Sequence, residues 1–145
     1  MEPTTDTAAV VTAEIGDDRI RSLFVAIDDR VARALAHRAT DVWRGTMWGG
    51  TEQAIVGRGR IIQPRPRGQT ARWFLVGVAA QSAHVSVYVN AARDGQYLLR
   101  SYAERLGRVK LGPAAIAIRK LDNLDLGAFD ELLADADQLA VPDAW

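Results

Sequence analysis

Apolar residues recur along this chain with two different periods. Ile20, Leu23, Phe24, Ile27, Val31, Ala34 and Leu35 fall three and four residues apart, on one face of a helix, and Asp28, Asp29, Arg30 and Arg33 fall on the other. Asp17-Asp18 stands just ahead, an acidic cap where a helix start carries partial positive charge. The pattern predicts a long amphipathic helix over residues 17–39. Leu126, Phe129, Leu132, Leu133, Ala136 and Leu139 repeat the helical period over 125–139, behind a capping-box variant in Asp122-Asn123-Leu124-Asp125 and ahead of Pro142. Leu98, Leu99, Tyr102 and Leu106 predict a third helix over 94–106, closed by Gly107.

Elsewhere the period is two. Extended segments are predicted over 52–62, 72–78, 83–89 and 114–119. Gln63–Gln69 reads as a loop, because Pro64 and Pro66 cannot donate to a sheet ladder. Trp43–Gly50 reads as irregular, with Gly45, Gly49 and Gly50 permitting sharp turns. Short connections such as Ala79–Ser82 favour an antiparallel meander.

Alternation divides these segments into two faces. Ile55, Ile61, Phe74, Val76, Val78, Val85, Val87, Val89, Ile116 and Ile118 make a nearly pure apolar set. Val56, Arg58, Arg60, Trp73, Leu75, His84, Ser86, Tyr88, Ala115, Ala117 and Arg119 make a mixed one. One greasy face and one mixed face predict an α+β two-layer sandwich, an antiparallel sheet of about four to five strands with helices packed on one face. Residues 1–15 lack a helical period and read as a mobile tail, 16–140 as a single domain, and 141–145 as a C-terminal tail.

Composition narrows the function classes. The chain has 145 residues, 18 basic and 18 acidic, and no cysteine. Without cysteine there are no disulfides, thiolate nucleophiles or Cys-ligated metals, which suits a reducing compartment. Met1–Asp6 has neither a basic region nor an apolar core, and no apolar run spans a bilayer, so the expected location is cytoplasmic, with no membrane partner. Balanced charge makes nucleic acid an unexpected partner, despite Arg58-x-Arg60 and Pro64-Arg65-Pro66-Arg67. Every basic residue except Lys110 and Lys120 is Arg. With the Ala, Asp and Gly content this fits the coding bias of a GC-rich bacterial genome; the competing reading is anion recognition by a planar fork.

Catalytic patterns are sparse. Ser82 and His84 are near in sequence, but no acid orients the imidazole and no nucleophile elbow is present. Two isolated histidines, His37 and His84, carry no metal-binding spacing. Val56-Gly57-Arg58-Gly59-Arg60 has glycines, yet it lies in a strand rather than at a strand-to-helix turn, so it is no phosphate cradle. The expectation is therefore no enzyme and no cofactor.

The ordered set Met47-Trp48-Gly49-Gly50, Gly57, Trp73-Phe74-Leu75-Val76-Gly77, Val85-Ser86-Val87-Tyr88-Val89, Leu106-Gly107-Arg108-Val109-Lys110-Leu111-Gly112, Ile116-Ala117-Ile118 and Asp122-Asn123-Leu124-Asp125-Leu126 resembles the YdhG-like domain-of-unknown-function family. The likeness runs over residues 43–133. It implies a small α+β domain with helices on one side of an antiparallel sheet, and no catalytic set. Ala79-Ala80-Gln81-Ser82 and Gly112-Pro113-Ala114-Ala115 depart from basic turns common in that family, whereas Lys110 agrees. Some relatives are described as frataxin-like iron chaperones. The resemblance thereby implies an alternative in which Asp17, Asp18, Asp28 and Asp29 hold iron.

The leading expectation is a binding or adaptor domain. Trp43, Met47, Trp48, Arg58, Arg60, Trp73, His84, Tyr88, Lys110 and Arg119 would recognise a small anionic ligand or a protein partner, with aromatic rings supplying contact area and cations supplying charge recognition. A second copy of the chain would serve as well as a foreign protein.

Overall fold

A computed structural model describes residues 1–47 and 50–145. Three α-helices, α1 (Ala8–Glu14), α2 (Asp18–Ala34) and α3 (Leu126–Leu139), accompany eleven short strands. The strands are β1 (Glu2–Thr4), β2 (Thr40–Thr46), β3 (Glu52–Arg58), β4 (Ile61–Pro64), β5 (Thr70–Trp73), β6 (Val76–Ala80), β7 (Val85–Val89), β8 (Ala92–Arg93), β9 (Gln96–Tyr97), β10 (Lys110–Leu111) and β11 (Ala115–Ile118). Seven of them form one antiparallel sheet in the order β1-β2-β3-β6-β7-β11-β10, and β4-β5 and β8-β9 are separate hairpins. The fold is α+β, with more strands than the four to five expected. The excess comes from edges: β1 and β10 have three and two residues, too short to show a period. Residues 43–46, read as irregular, belong to β2, which pairs with β3 along its full length.

The helix starts are where the acidic caps put them. Asp17 accepts the Ile20 N–H at 2.9 Å and Asp125 accepts that of Ala128 at 3.0 Å. The predicted 94–106 helix is absent. Asp94 and Gly95 both have positive φ, 53° and 77°, and close the β8–β9 hairpin, after which Leu98–Tyr102 forms a 3-10 turn. Leu98, Leu99, Tyr102 and Leu106 are still buried. Their spacing marked burial correctly, but Asp-Gly prefers a tight turn to a helix.

The long 52–62 segment breaks at Gly59 (φ 79°), whose N–H donates to the Ala39 carbonyl at 2.9 Å. A Cβ there would come within 2.8 Å of the Leu75 Cβ. Beyond this break the β4–β5 hairpin leaves the main sheet. The first fifteen residues, read as a tail, carry β1 on the edge of β2 and α1, which buries Val11.

The break also changes the face assignment. Val42, Val56, Val78, Val87 and Ile116 share one row across the sheet and join the cluster containing Ile20, Phe24, Ile27 and Val31 of α2 and Phe129, Leu132 and Leu133 of α3. Ile55 and Phe74, expected in that cluster, lie instead in a second one with Trp43 and Ala79, to which no helix residue contributes. Val56 and Leu75, expected on the mixed face, belong to the α2-side core. Register decides this: Ile55 sits between Trp43 and Ala79, one residue out of phase with Val56.

Arg58 follows Val56 to the α2 side. Its guanidinium forks onto both Asp28 carboxylate oxygens, and both residues are buried. Each satisfies a charge that would otherwise be costly to bury.

Candidate functional site

The side of the sheet facing away from α2 has an aromatic end and a basic corner. At the aromatic end, Trp43 is 2% exposed. Trp73, Phe74 and Trp145 surround it, with centroids at 5.2, 5.8 and 5.9 Å, each in an edge-on arrangement. Trp73 stacks on Phe74 at 4.6 Å, and Phe74 reaches Tyr88 at 6.3 Å. The floor is glycine: a Cβ on Gly77 would come within 2.6 Å of Phe74 and 2.7 Å of Ile55. Glycine at this point is what lets a phenylalanine ring lie flat across two strands. Trp43 Nε1 is the one buried side-chain polar atom without a hydrogen-bond partner among the described residues. It lies against Gly57, where a Cβ would come within 3.0 Å of it.

Guanidinium groups rim this cluster. Arg60 lies over the Trp145 ring at 4.6 Å and Arg72 over it at 5.2 Å, while Arg65 lies over Trp73 at 5.4 Å. Arg60 is already engaged, forking onto Asp41 at 2.9 Å and donating to the Trp145 carbonyl. A pocket of about 250 Å³ opens beside Met1, Met47, Arg65, Arg72 and Trp73.

The basic corner lies on β7, β11 and β10. Register puts Lys110 opposite Ala117, and Ala117 opposite Ser86; Ile118 opposite Val85 places Arg119 and His84 at the next step. The charges of Arg119 and Lys110 both reach the His84 imidazole, so the three groups lie near one another at this end of the sheet. Among the described residues none of the three has a carboxylate within 4.0 Å. Burial first, then the charges of Arg119 and Lys110, hold the His84 imidazole below its ordinary value. Arg19 closes the corner from behind, donating to the Arg119 carbonyl at 2.8 Å.

The ten residues expected to form one site thus divide. His84, Lys110 and Arg119 come together. Trp73, Tyr88 and Met47 line the aromatic end and are half-buried. Trp43 belongs to the same end but is covered by its neighbours, so it is packing rather than an anchor. Arg58 is on the other side of the sheet, consumed by Asp28, and Arg60 is bound to Asp41. Trp48 lies outside the described residues.

The acidic set does not assemble either. Asp17 caps α2, Asp18 pairs with Arg21, Asp28 with Arg58, and Asp29 is exposed. Among the described residues no three His, Cys, Asp or Glu side chains gather as a metal site. No described helix is long and apolar enough to cross a membrane.

Comparison with protein-family models, with curated proteins and with solved structures finds no match for this chain.

Sequence reasoning missed Phe74 and Trp145 as parts of the aromatic end. Phe74 lies between β5 and β6, outside any strand, where alternation carries no information. Trp145 was assigned to a tail, yet its Nε1 donates to the Ile61 carbonyl at 3.2 Å. The only signal was a large aromatic side chain, costly to leave in water, in a stretch of otherwise smaller residues.

Proposed function

We propose that this protein is a non-enzymatic binding domain that recognises an anionic group, phosphate or carboxylate, at the His84–Lys110–Arg119 corner. Tyr88 and Trp73 supply contact area farther along the same side. Its architecture is read as a two-layer sandwich with the helices on one side of the sheet, of the YdhG-like kind. The observation that supports the reading is the meeting of two cations, Lys110 and Arg119, with no acid among the described residues to neutralise them, beside the protonatable His84 imidazole. Like charges across neighbouring strands repel, and a bound anion relieves the repulsion.

The sign of the pH effect follows. In the folded protein His84 is protonated less readily than in the unfolded chain. Above the unfolded value, about 6.5, it is neutral in both states. As pH falls through that value toward the folded one, the unfolded chain takes up the proton first and stability is lost. A bound anion works in the opposite direction and raises the folded value. Titrating His84 by NMR with and without inorganic phosphate measures both. The imidazole should titrate at higher pH when phosphate is present. Lys110→Gln and Arg119→Gln should each weaken the effect about tenfold. A His84 titration unmoved by saturating phosphate would remove the reading.

A further inference from the structure

Equal numbers of acids and bases conceal an uneven distribution. Residues 52–119 carry eleven Arg and Lys against three Asp and Glu. Among the described residues, Arg58, Arg60 and Arg105 of that stretch have a carboxylate within 4.0 Å, and the other eight cations have none. Three of those eight belong to the β4–β5 hairpin. Residues 61–73 hold Arg65, Arg67 and Arg72 and no acid. Arg67 and Arg72 are exposed, and Arg65 is half-buried. The hairpin is a two-stranded sheet of its own, and its four residue pairs make it roughly 13 Å long at about 3.3 Å per residue.

The turn holds its cations in place. Pro64 and Pro66 fix two φ angles, and the Arg65 N–H donates to the Gln69 carbonyl at 2.7 Å. Arg67 adopts the left-handed conformation, φ 63°, where glycine or asparagine is easier. The tip thus carries a charge against the local preference of the backbone. Aromatic planes accompany the charge: Arg65 lies over the Trp73 ring at 5.4 Å and Arg72 over that of Trp145 at 5.2 Å, and both rings are half-buried. Interleaved guanidinium and indole groups suit both parts of an unpaired nucleotide, because the cations meet phosphate and the planes take a base by stacking. A duplex hides its base faces, and an acidic peptide brings charge without them.

We infer that the β4–β5 hairpin binds single-stranded nucleic acid, with Arg65, Arg67 and Arg72 on phosphates and bases stacked beside Trp73 and Trp145. This site is separate from the His84 corner. The probe is a labelled eight-nucleotide oligothymidylate, followed by fluorescence anisotropy over a series of salt concentrations. Three phosphate contacts should give a slope of about −2 in log affinity against log salt, at about −0.7 per contact. Arg65→Gln, Arg67→Gln and Arg72→Gln should each make the slope shallower by about 0.7. Arg67→Gln, at the exposed tip, should do so without lowering the melting temperature. An abasic strand with the same phosphates should bind about tenfold more weakly, as should the duplex. Amide NMR shifts should map to residues 61–73.

The inference is overturned if the oligothymidylate does not bind, or if the three Gln variants leave the salt slope unchanged. It is overturned equally if the abasic strand, the duplex or polyglutamate binds as tightly, or if the shifts map to His84 instead of the hairpin. A His84 titration that moves with inorganic phosphate while the oligothymidylate fails to bind would leave the anion-binding corner standing and remove the hairpin site alone.

Discussion

Asp143 gathers three donors. It accepts the N–H of Ala39 at 2.7 Å, the N–H of Arg60 at 3.0 Å and the guanidinium of Arg38 at 3.3 Å. Burial alone would raise its carboxyl pKa, but these donors outweigh burial and hold it below the ordinary aspartate value. Its stabilisation is present above the unfolded value, about 3.8, and is lost as pH falls through the folded one. Asp143→Asn should destabilise the protein by about 1–3 kcal/mol at pH 7, with a smaller difference at pH 3, measured by urea unfolding at both pH values. Asp28 poses the converse problem, an acid hidden with a single cation. Asp28→Ala should cost about 3–5 kcal/mol by the same measurement, because Arg58 would stay buried without its partner. The Asp28→Leu/Arg58→Leu double variant should recover much of that loss. Neither role was legible in the sequence. Asp28 and Asp29 look alike beside a helical stripe, and the partner that separates them is thirty residues away on β3.

At the scale of elements, α2 and α3 were legible, α1 was not, the predicted 94–106 helix is a hairpin and a 3-10 turn, and the strands were legible only in part. Acidic caps and a 3.6-residue stripe are local signals, and α2 and α3 obey them. Face assignment within a strand depends on where the strand breaks and what it pairs with. Gly59 and the Phe74–Leu75 step interrupt two segments that read as continuous, so Phe74 was assigned to the face opposite Trp73 and Tyr88, with which it packs. The close approach at Gly77 has a direct consequence. Gly77→Ala must displace Phe74 or Ile55, and the change should cost about 1–3 kcal/mol, measured as a shift in the denaturation midpoint at unchanged m-value. Gly68, with open space around its α-carbon, provides the contrasting site. Alanine there meets no neighbour, and its penalty should come from the positive φ alone.

For the whole molecule, one sheet is shared by two cores of different composition. The α2 side is aliphatic, with Phe24, Phe129 and Tyr102 among its few rings; the other side holds Trp43, Trp73 and Trp145. The fluorescence of Trp43, Trp73 and Trp145 therefore follows one side of the sheet, and far-UV circular dichroism is weighted toward the helices on the other. Because β2, β3, β6 and β7 serve both, the two signals should give coincident unfolding transitions in urea. A fluorescence change preceding the loss of helix would show that the aromatic end opens by itself. The outer edges of the main sheet bear on self-association. β1 carries Pro3 in three residues and β10 has two residues, so neither border offers a long unpaired row of amides. Strand addition, the ordinary route to fibrils and edge-to-edge oligomers, finds only a short template at these two borders, whereas the β4–β5 hairpin keeps edges of its own.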